Sequence, residues 1–375
     1  MNFGFDDQQE LLRQEIRKLL EERCPMEEVR RIAGSESGHA PELWKQLGEL
    51  GWLGLALPEE HGGAGLGWVD LAVVFEEAGR VLLPAPLVST ILAGAAIVDA
   101  GSDEQCRARL PALADGSRIG TLALFDAADQ PIPSGVTLRA EADGQGFRLT
   151  GEKPYVADAG VADLFVVAFR SGKKAQEVGL ALVDGEADGV SVETRAGIDA
   201  TRRQGTLRLD GVRIAADALL GAPGDAWPAI SRAFDRGAAA VTAEMIGAAE
   251  AMLEMTVQYA KDRIQFGSPI GRYQGVKHPL AEAFVDIECM KSLLYYTAWA
   301  LEESPDEVSF SVSKAKGLAS EAFTQIGISG IQLHGAIGYT EASDVHLYLR
   351  RSKWARTAFG DEVFHYDRVA SLGGL

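Results

Sequence analysis

Leu11, Leu12, Ile16, Leu19 and Leu20 recur at helical spacing near the N-terminus, the pattern that gathers apolar side chains on one face of a helix. Leu43, Leu47, Leu50 and Leu53 continue it after a start at Pro41, a residue suited to the first helical position. Residues 70–82 predict another apolar-rich helix, and 87–98 a buried one. Near residue 117 the texture changes. Short apolar runs at 121–125, 136–140, 147–150, 164–169, 179–183, 190–194 and 206–209 read as strands. Gly, Asp and Pro punctuate them at the spacing of a sandwich or barrel. Gly221-Ala222-Pro223-Gly224 closes this part as a turn or linker. From Trp227 onward Ala-rich helical patterns cover roughly 227–260, 272–303 and 308–333, with one more from about 343. The predicted organisation is α+β and mostly α: an N-terminal helical domain (1–117), a central β domain (118–224) and a C-terminal helical bundle (225–375).

The 375 residues are enough for two to three domains. Apolar residues make up 47% and charged residues 24%, which excludes disordered and fibrous classes. Lys plus Arg is 36 and Asp plus Glu is 54, a net charge of −18. Binding to a phosphate backbone needs clustered positive charge, so no nucleic-acid partner is expected. Three dispersed cysteines (Cys24, Cys106, Cys289) form no CxxC pair, which fits a reducing compartment and neither a disulfide framework nor a zinc site. The start of the chain lacks a basic region followed by an apolar stretch. The most apolar stretch, 87–98, falls short of the ~20 residues of a spanning helix. A soluble, cytoplasmic protein without membrane attachment is expected.

Short motifs are weak here. His61-Gly62-Gly63-Ala64-Gly65 superficially resembles an esterase oxyanion loop, but no Gly-x-Ser-x-Gly elbow accompanies it. Gly63 to Gly67 follows no strand, so it is no dinucleotide fingerprint. The six histidines (39, 61, 278, 334, 346, 365) show no metal-ligand spacing and are expected at the surface or as helix caps. Longer blocks say more. Gly51-Trp52-Leu53-Gly54 leads to Leu57-Pro58-Glu59-Glu60-His61-Gly62-Gly63. Gly151-Glu152-Lys153-Pro154-Tyr155-Val156 follows in the β part. Arg263-Ile264-Gln265-Phe266-Gly267-Ser268-Pro269-Ile270 precedes Tyr273-Gln274. Gln332-Leu333-His334-Gly335-Ala336-Ile337-Gly338-Tyr339 precedes Glu341 and Arg350. In this order and spacing the blocks resemble the acyl-CoA dehydrogenase family over essentially the whole chain.

That resemblance implies a helical N-terminal domain, a β-barrel-like middle domain and a C-terminal four-helix bundle. It implies FAD as cofactor and an acyl-CoA thioester as substrate. In the family a Glu carboxylate removes the α-proton while the β-hydrogen leaves as hydride to flavin N5. This chemistry needs a positioned base, an oxyanion clamp and a bound flavin. The flavin lies across a subunit interface, with one chain's β domain at the isoalloxazine and the neighbour's C-terminal domain at the adenosine diphosphate end.

Several positions depart from the pattern. Phe359 stands where the family's Glu usually follows the Arg matched by Arg350, and a phenyl ring accepts no proton. Other members place the Glu on a bundle helix, 29 residues before the Phe matched by Phe266; that position is Gly237, and a helping Arg would be residue 238, here Ala238. Asp235 and Arg236 lie nearby out of phase, since two positions turn a helical side chain ~200°. Asp361, Glu362, Glu244 and Asp235 remain candidates for a relocated base, with an ordinary surface carboxylate as the plain alternative.

The flavin-facing β loops are depleted as well. The family's Thr-Glu followed by Gly-Ser reads Phe125-Asp126-Ala127-Ala128-Asp129-Gln130-Pro131, and its Lys-x-Trp-Ile-Thr reads Lys153-Pro154-Tyr155-Val156-Ala157. Tyr155 keeps an aromatic wall, while Ala157 lacks the hydroxyl. Each hydrogen bond lost costs ~1 kcal/mol. The half of the site given to a neighbour is better kept. Arg263 can pair with pyrophosphate as a planar donor, or form a surface ion pair with Asp262. Gln265, Phe266, Gln332 and Gly335 match family positions, with Ala336 in place of a second Gly.

The asymmetry predicts a non-catalytic subunit that completes a partner chain's FAD site in an α2β2 acyl-CoA dehydrogenase. The stretch Glu76 to Pro86 resembles bacterial members of this kind, several of which act on CoA esters of steroid side chains. One alternative is a homotetramer with a relocated carboxylate. Another is a flavin- or CoA-binding relative with other chemistry or a structural role. An electron-transferring flavoprotein is the implied electron acceptor.

Overall fold

The computed structural model describes residues 5–126 and 131–375. Its elements run helix, then strand, then helix. The first helices are α1 (Asp7–Arg23), α2 (Met26–Ala33), α3 (Pro41–Glu49), α4 (Trp68–Arg80), α5 (Leu87–Ala100) and α6 (Asp103–Ala114). Strands β1 (Gly120–Ala123), β2 (Ala140–Asp143), β3 (Gly146–Ala157), β4 (Leu164–Arg170), β5 (Val178–Asp184), β6 (Val190–Arg195) and β7 (Gln204–Ile214) follow. The rest is α7 (Trp227–Asp262), the hairpin strands β8 (Ile264–Gln265) and β9 (Ser268–Pro269), α8 (Gln274–Glu303), α9 (Val308–His334), α10 (Val345–Thr357) and α11 (Glu362–Gly373).

The chain divides into two compact units that interleave in sequence. One comprises Met1–Arg31, Trp68–Leu83 and Ala238–Leu375; the other comprises Ile32–Gly67 and Pro84–Gly237. The second unit holds both larger sheets. Strands β1, β4 and β5 form one, with β1 and β4 parallel. Strands β2, β3, β7 and β6 form the other, antiparallel throughout. Leu164–Phe169 is an unbroken apolar run because β4 is covered on both faces, as near-continuous runs usually signal. Val166 and Ala168 point to a core with Ile97, Leu110, Ile230 and Ala233. Phe165, Val167 and Phe169 point to Leu149, Leu207, Leu209 and Val212 of the second sheet. The predicted strand at 136–140 is displaced: Pro133–Gly135 form a 3-10 turn, Arg139 makes only an isolated parallel bridge to Arg170, and the β2 ladder with β3 begins at Ala140. The run at 147–150 extends into the twelve-residue β3, whose register slips at two places.

In the first unit, helices α4 and α7 cross with their backbones nearly touching. A Cβ on Gly79 would lie 2.1 Å from the Glu244 carbonyl oxygen, and one on Gly247 would lie 1.8 Å from that of Glu76. Only glycine admits this approach. Around the crossing sit buried carboxylates. Glu76 accepts from Arg13 Nη2 at 2.8 Å, and Glu77 accepts both arms of Arg17 at 2.8 and 2.7 Å. Burial pushes Glu76 up to about 7, against the pull of Arg13. The histidine expectation needs correction: His334, His346 and His365 are buried, on the packed helices α9, α10 and α11.

Candidate functional site

The first unit presents three groups of the predicted residues. Arg263 directly follows α7, its N–H donating to the Tyr259 carbonyl at 2.9 Å. Pairing of Gln265 with Ser268 leaves Phe266-Gly267 as a two-residue turn. Both residues have positive φ, 52° and 76°. Such turns favour Asn-Gly, and a phenylalanine there is strained. Phe266 is 92% exposed, with Tyr273 edge-on at 6.3 Å. Arg263 and Gln265 are exposed as well. Asp262 accepts from the Gln258 amide at 2.8 Å rather than holding Arg263.

The second group lies at the end of α9. Gln332 is exposed on the last turn. Gly335 ends the helix at φ 66°, ψ −143°, a conformation reserved for glycine. A 3-10 turn, Gly335–Tyr339, follows, with Tyr339 71% exposed. The His334 ring stacks on Tyr259 at 4.4 Å, and its Nδ1 bonds the Gly330 carbonyl at 2.8 Å. Tyr259 is one helical turn before Arg263. The two blocks, distant in sequence, are thus joined at their roots.

The third group is the turn between α10 and α11. Phe359 has φ 54° and Gly360 φ 88°. Lys316 of α9, fully buried, donates to Ser320 Oγ at 2.9 Å and to the Arg356 and Gly360 carbonyls at 3.0 and 2.9 Å. His365 Nε2 donates to the Phe359 carbonyl at 2.8 Å. Burial lowers Lys316 to about 7; burial and the nearby Lys316 lower His365 to about 3. The Phe359 ring packs with Leu301 and Val308 against Ala238, Ala239 and Val312. Residues 359 and 238, expected from the resemblance as Glu and Arg positions, therefore meet in one apolar cluster.

The carboxylate candidates have other engagements. Asp361 caps α11, accepting from the Phe364 N–H at 2.9 Å. Glu362 accepts from Arg356 Nε at 2.8 Å, and Arg356 holds its carboxyl below the usual range. Glu244 and Asp235 are buried on α7, Asp235 in the portion that belongs to the second unit.

The second unit carries the β-face positions. Lys153, fully buried, pairs with Asp126 at 3.1 Å and donates to the Leu124 carbonyl at 3.1 Å. Asp126 in turn accepts from the Leu138 N–H at 3.2 Å and from that of Thr137. The register slip between Lys153 and Val156 puts Tyr155 at φ 57°, 57% exposed. Phe125 and Ala157 offer no side-chain hydroxyl to a flavin, while residues 127–130 of the loop lie outside the described residues. Sequence reasoning missed Tyr259, Lys316 and His365. Lys316 did carry a signal: unlike Lys314, it falls at helical spacing with Val312, Ala319 and Phe323 on one apolar face.

Comparison with known proteins places this architecture. Family profiles match in three consecutive pieces: "Acyl-CoA dehydrogenase, N-terminal domain" over residues 6–117, "middle domain" over 131–212 and "C-terminal domain" over 224–371. The chain belongs to the acyl-CoA dehydrogenase family, whose members are flavin-dependent oxidoreductases. Acyl-CoA dehydrogenase IpdE2 of Mycolicibacterium smegmatis is 31% identical over 94% of this chain and 95% of its own. A solved steroid acyl-CoA dehydrogenase, a variant of Tcur3481-Tcur3483, is 33% identical with a TM-score of 0.88, covering 98% of each chain. The ChsE4-ChsE5 complex of Mycobacterium tuberculosis is 27% identical with a TM-score of 0.91, covering 100% of this chain and 99% of that one. Among the described residues no helix is long and apolar enough to cross a membrane, and no cluster could hold a metal ion.

Proposed function

We propose that this chain is the non-catalytic subunit of a hetero-oligomeric acyl-CoA dehydrogenase, completing the FAD site of a catalytic partner of the same family. The observation that carries this reading is the apolar cluster around Phe359. A carboxylate base needs a side chain that accepts a proton. Here a phenyl ring packs on Ala238, Ala239 and Val312 instead. Arg263, Gln265, Phe266, Gln332 and Gly335 stand at or near the surface, available to a neighbouring chain.

The residues present fit one half of a dinucleotide flavin. Arg263 supplies a charged, planar donor for pyrophosphate. Gln265 and Gln332 supply further amides, and Gly335 lets backbone approach closely. On this chain's own β face the fit is poor, because Tyr155 offers a wall but Phe125 and Ala157 offer no hydroxyl. Bound flavin supplies the two-electron acceptor for α,β-dehydrogenation, and the base is assigned to the partner. The two-chain names of the solved relatives support an α2β2 assembly. The steroid relative supports a CoA ester of a steroid side chain as substrate. A cytoplasmic location and an electron-transferring flavoprotein as acceptor complete the proposal.

The test is flavin per chain, by absorbance, on the isolated protein and again after mixing with a catalytic family member from the same genome. Near zero alone, rising to one flavin per pair, is expected. One flavin per isolated chain would overturn the reading and return Asp361, Glu362 and Asp235 as candidates for the base.

A further inference from the structure

The ten residues from Gly335 to Asp344 include the exposed positions Ala336, Ile337, Tyr339, Thr340, Glu341 and Ala342. Among the described residues no strand pairs with them. They run as successive turns: Thr340 N–H and Oγ1 both donate to the Ile337 carbonyl, at 3.0 and 2.8 Å, and Ser343 N–H donates to the Thr340 carbonyl at 3.2 Å. Such a segment keeps one shape only if its ends are fixed. The first end is fixed by His334, stacked on Tyr259. The second is fixed from helix α2. Arg30 Nε and Nη2 donate to Asp344 Oδ1 at 3.0 and 2.7 Å, and Nη2 also reaches the Ser343 carbonyl at 3.1 Å. Asp344 stands at the start of α10, where an aspartate ordinarily caps the helix. Its side chain makes no capping bond there. It is committed to Arg30.

We propose that Arg30 is a positioning residue for the adenosine end of the flavin: it acts through Asp344 and Ser343 to hold the Gly335–Asp344 segment in the form that meets the cofactor. This rests on the reading that Gln332 and Gly335 face a neighbour's FAD. A planar guanidinium with a two-point grip on one carboxylate and one carbonyl fixes direction as well as distance. A point charge on a flexible stem does not, so Arg30→Lys is expected to fall between wild type and Arg30→Gln.

The experiment titrates FAD into the two-chain assembly and follows flavin fluorescence, with thermal unfolding measured on the same samples. Arg30→Gln should weaken FAD binding about ten-fold, the size of losing one well-placed charged contact, with the melting temperature nearly unchanged. The exchanged pair Arg30→Asp with Asp344→Arg should regain most of the affinity. Two results overturn the inference: FAD affinity unaffected by Arg30→Gln, or affinity and melting temperature falling together with no recovery in the exchanged pair. Gln332→Ala separates this from failure of the functional reading. If it weakens FAD and Arg30→Gln does not, only the positioning role fails. If it has no effect, the cofactor contact itself is wrong and the role of Arg30 falls with it.

Discussion

Five non-glycine residues among those described have positive φ: Leu82, Tyr155, Asp158, Phe266 and Phe359. Three of them are aromatic, and each aromatic is among the residues proposed above to lie around the flavin or at the expected base position. Left-handed backbone in a bulky residue costs on the order of 1 kcal/mol or more, and the surrounding structure must enforce it. At Phe359 the enforcement comes from Lys316 and His365. Lys316→Met should therefore speed amide exchange across residues 356–361 and destabilise the fold by ~1–3 kcal/mol, through carbonyls left without donors. The same lysine sets a pH dependence. Its folded-state value of about 7 lies below the ordinary 10.5. Between these values the unfolded chain binds the extra proton, so this lysine's contribution to stability rises as pH climbs from 7 towards 10.5. Glu76 acts in the opposite sense. Its value of about 7 lies above 4.5, so the native state holds the extra proton between them. Its contribution is full below pH 4.5 and is lost as pH rises through 7. Glu76→Gln should flatten that limb in urea melts run from pH 5 to pH 8.

At the scale of elements, the close crossing of α4 and α7 makes the sharpest prediction. Gly247→Ala places a methyl group where the Glu76 carbonyl already stands. Over-packing of this kind typically costs ~1–3 kcal/mol, measurable as a lower urea midpoint with unchanged slope. Sequence periodicity was sufficient for α1, α4, α5 and α7 to α9, because apolar spacing is a local property; it named neither α2 nor α6, ran past the end of α3 and did not separate α10 from α11. It was sufficient for β4, whose unbroken apolar run states that both faces are covered. It misplaced β2, because Val136 and Leu138 are apolar for the core: both are buried, the chain leaves a 3-10 turn at Val136, and Leu138 and Arg139 meet Arg170 of β4 rather than the β2–β3 ladder. That Phe359 stands where the resemblance expects a Glu was legible in the motif. Its packing on Ala238 was not, since nothing local in either segment names the other. The grip of Arg30 on Asp344 was hidden for the same reason.

For the whole molecule the predictions concern assembly. Arg263→Ala should weaken FAD binding by the two-chain complex by ~1.5–3 kcal/mol, the range for a hydrogen bond to a charged group. Titration of FAD against wild-type and variant complexes measures it. Salt should weaken the wild type more than the variant, since an exposed charge pair is screened. The chain's net charge of −18 works against an anionic cofactor at long range, so the proposed contact relies on local cations such as Arg263.

The exposed hairpin has a consequence for how the protein is made. Phe266 at 92%, Tyr339 at 71% and Ile264 at 53% exposure project from helix ends that Tyr259 and His334 hold together. Solvent-facing aromatic and β-branched side chains of this kind are a hazard while a chain waits for its neighbour, because sticky surface on newly made protein invites the wrong contacts. On the proposed two-chain reading, a cell that produced this chain in excess of its partner would have to spend chaperone capacity on it or degrade it. Matched synthesis, with both chains emerging close in time and place, removes the problem. Soluble yield on co-expression against expression alone is the simplest readout of that dependence.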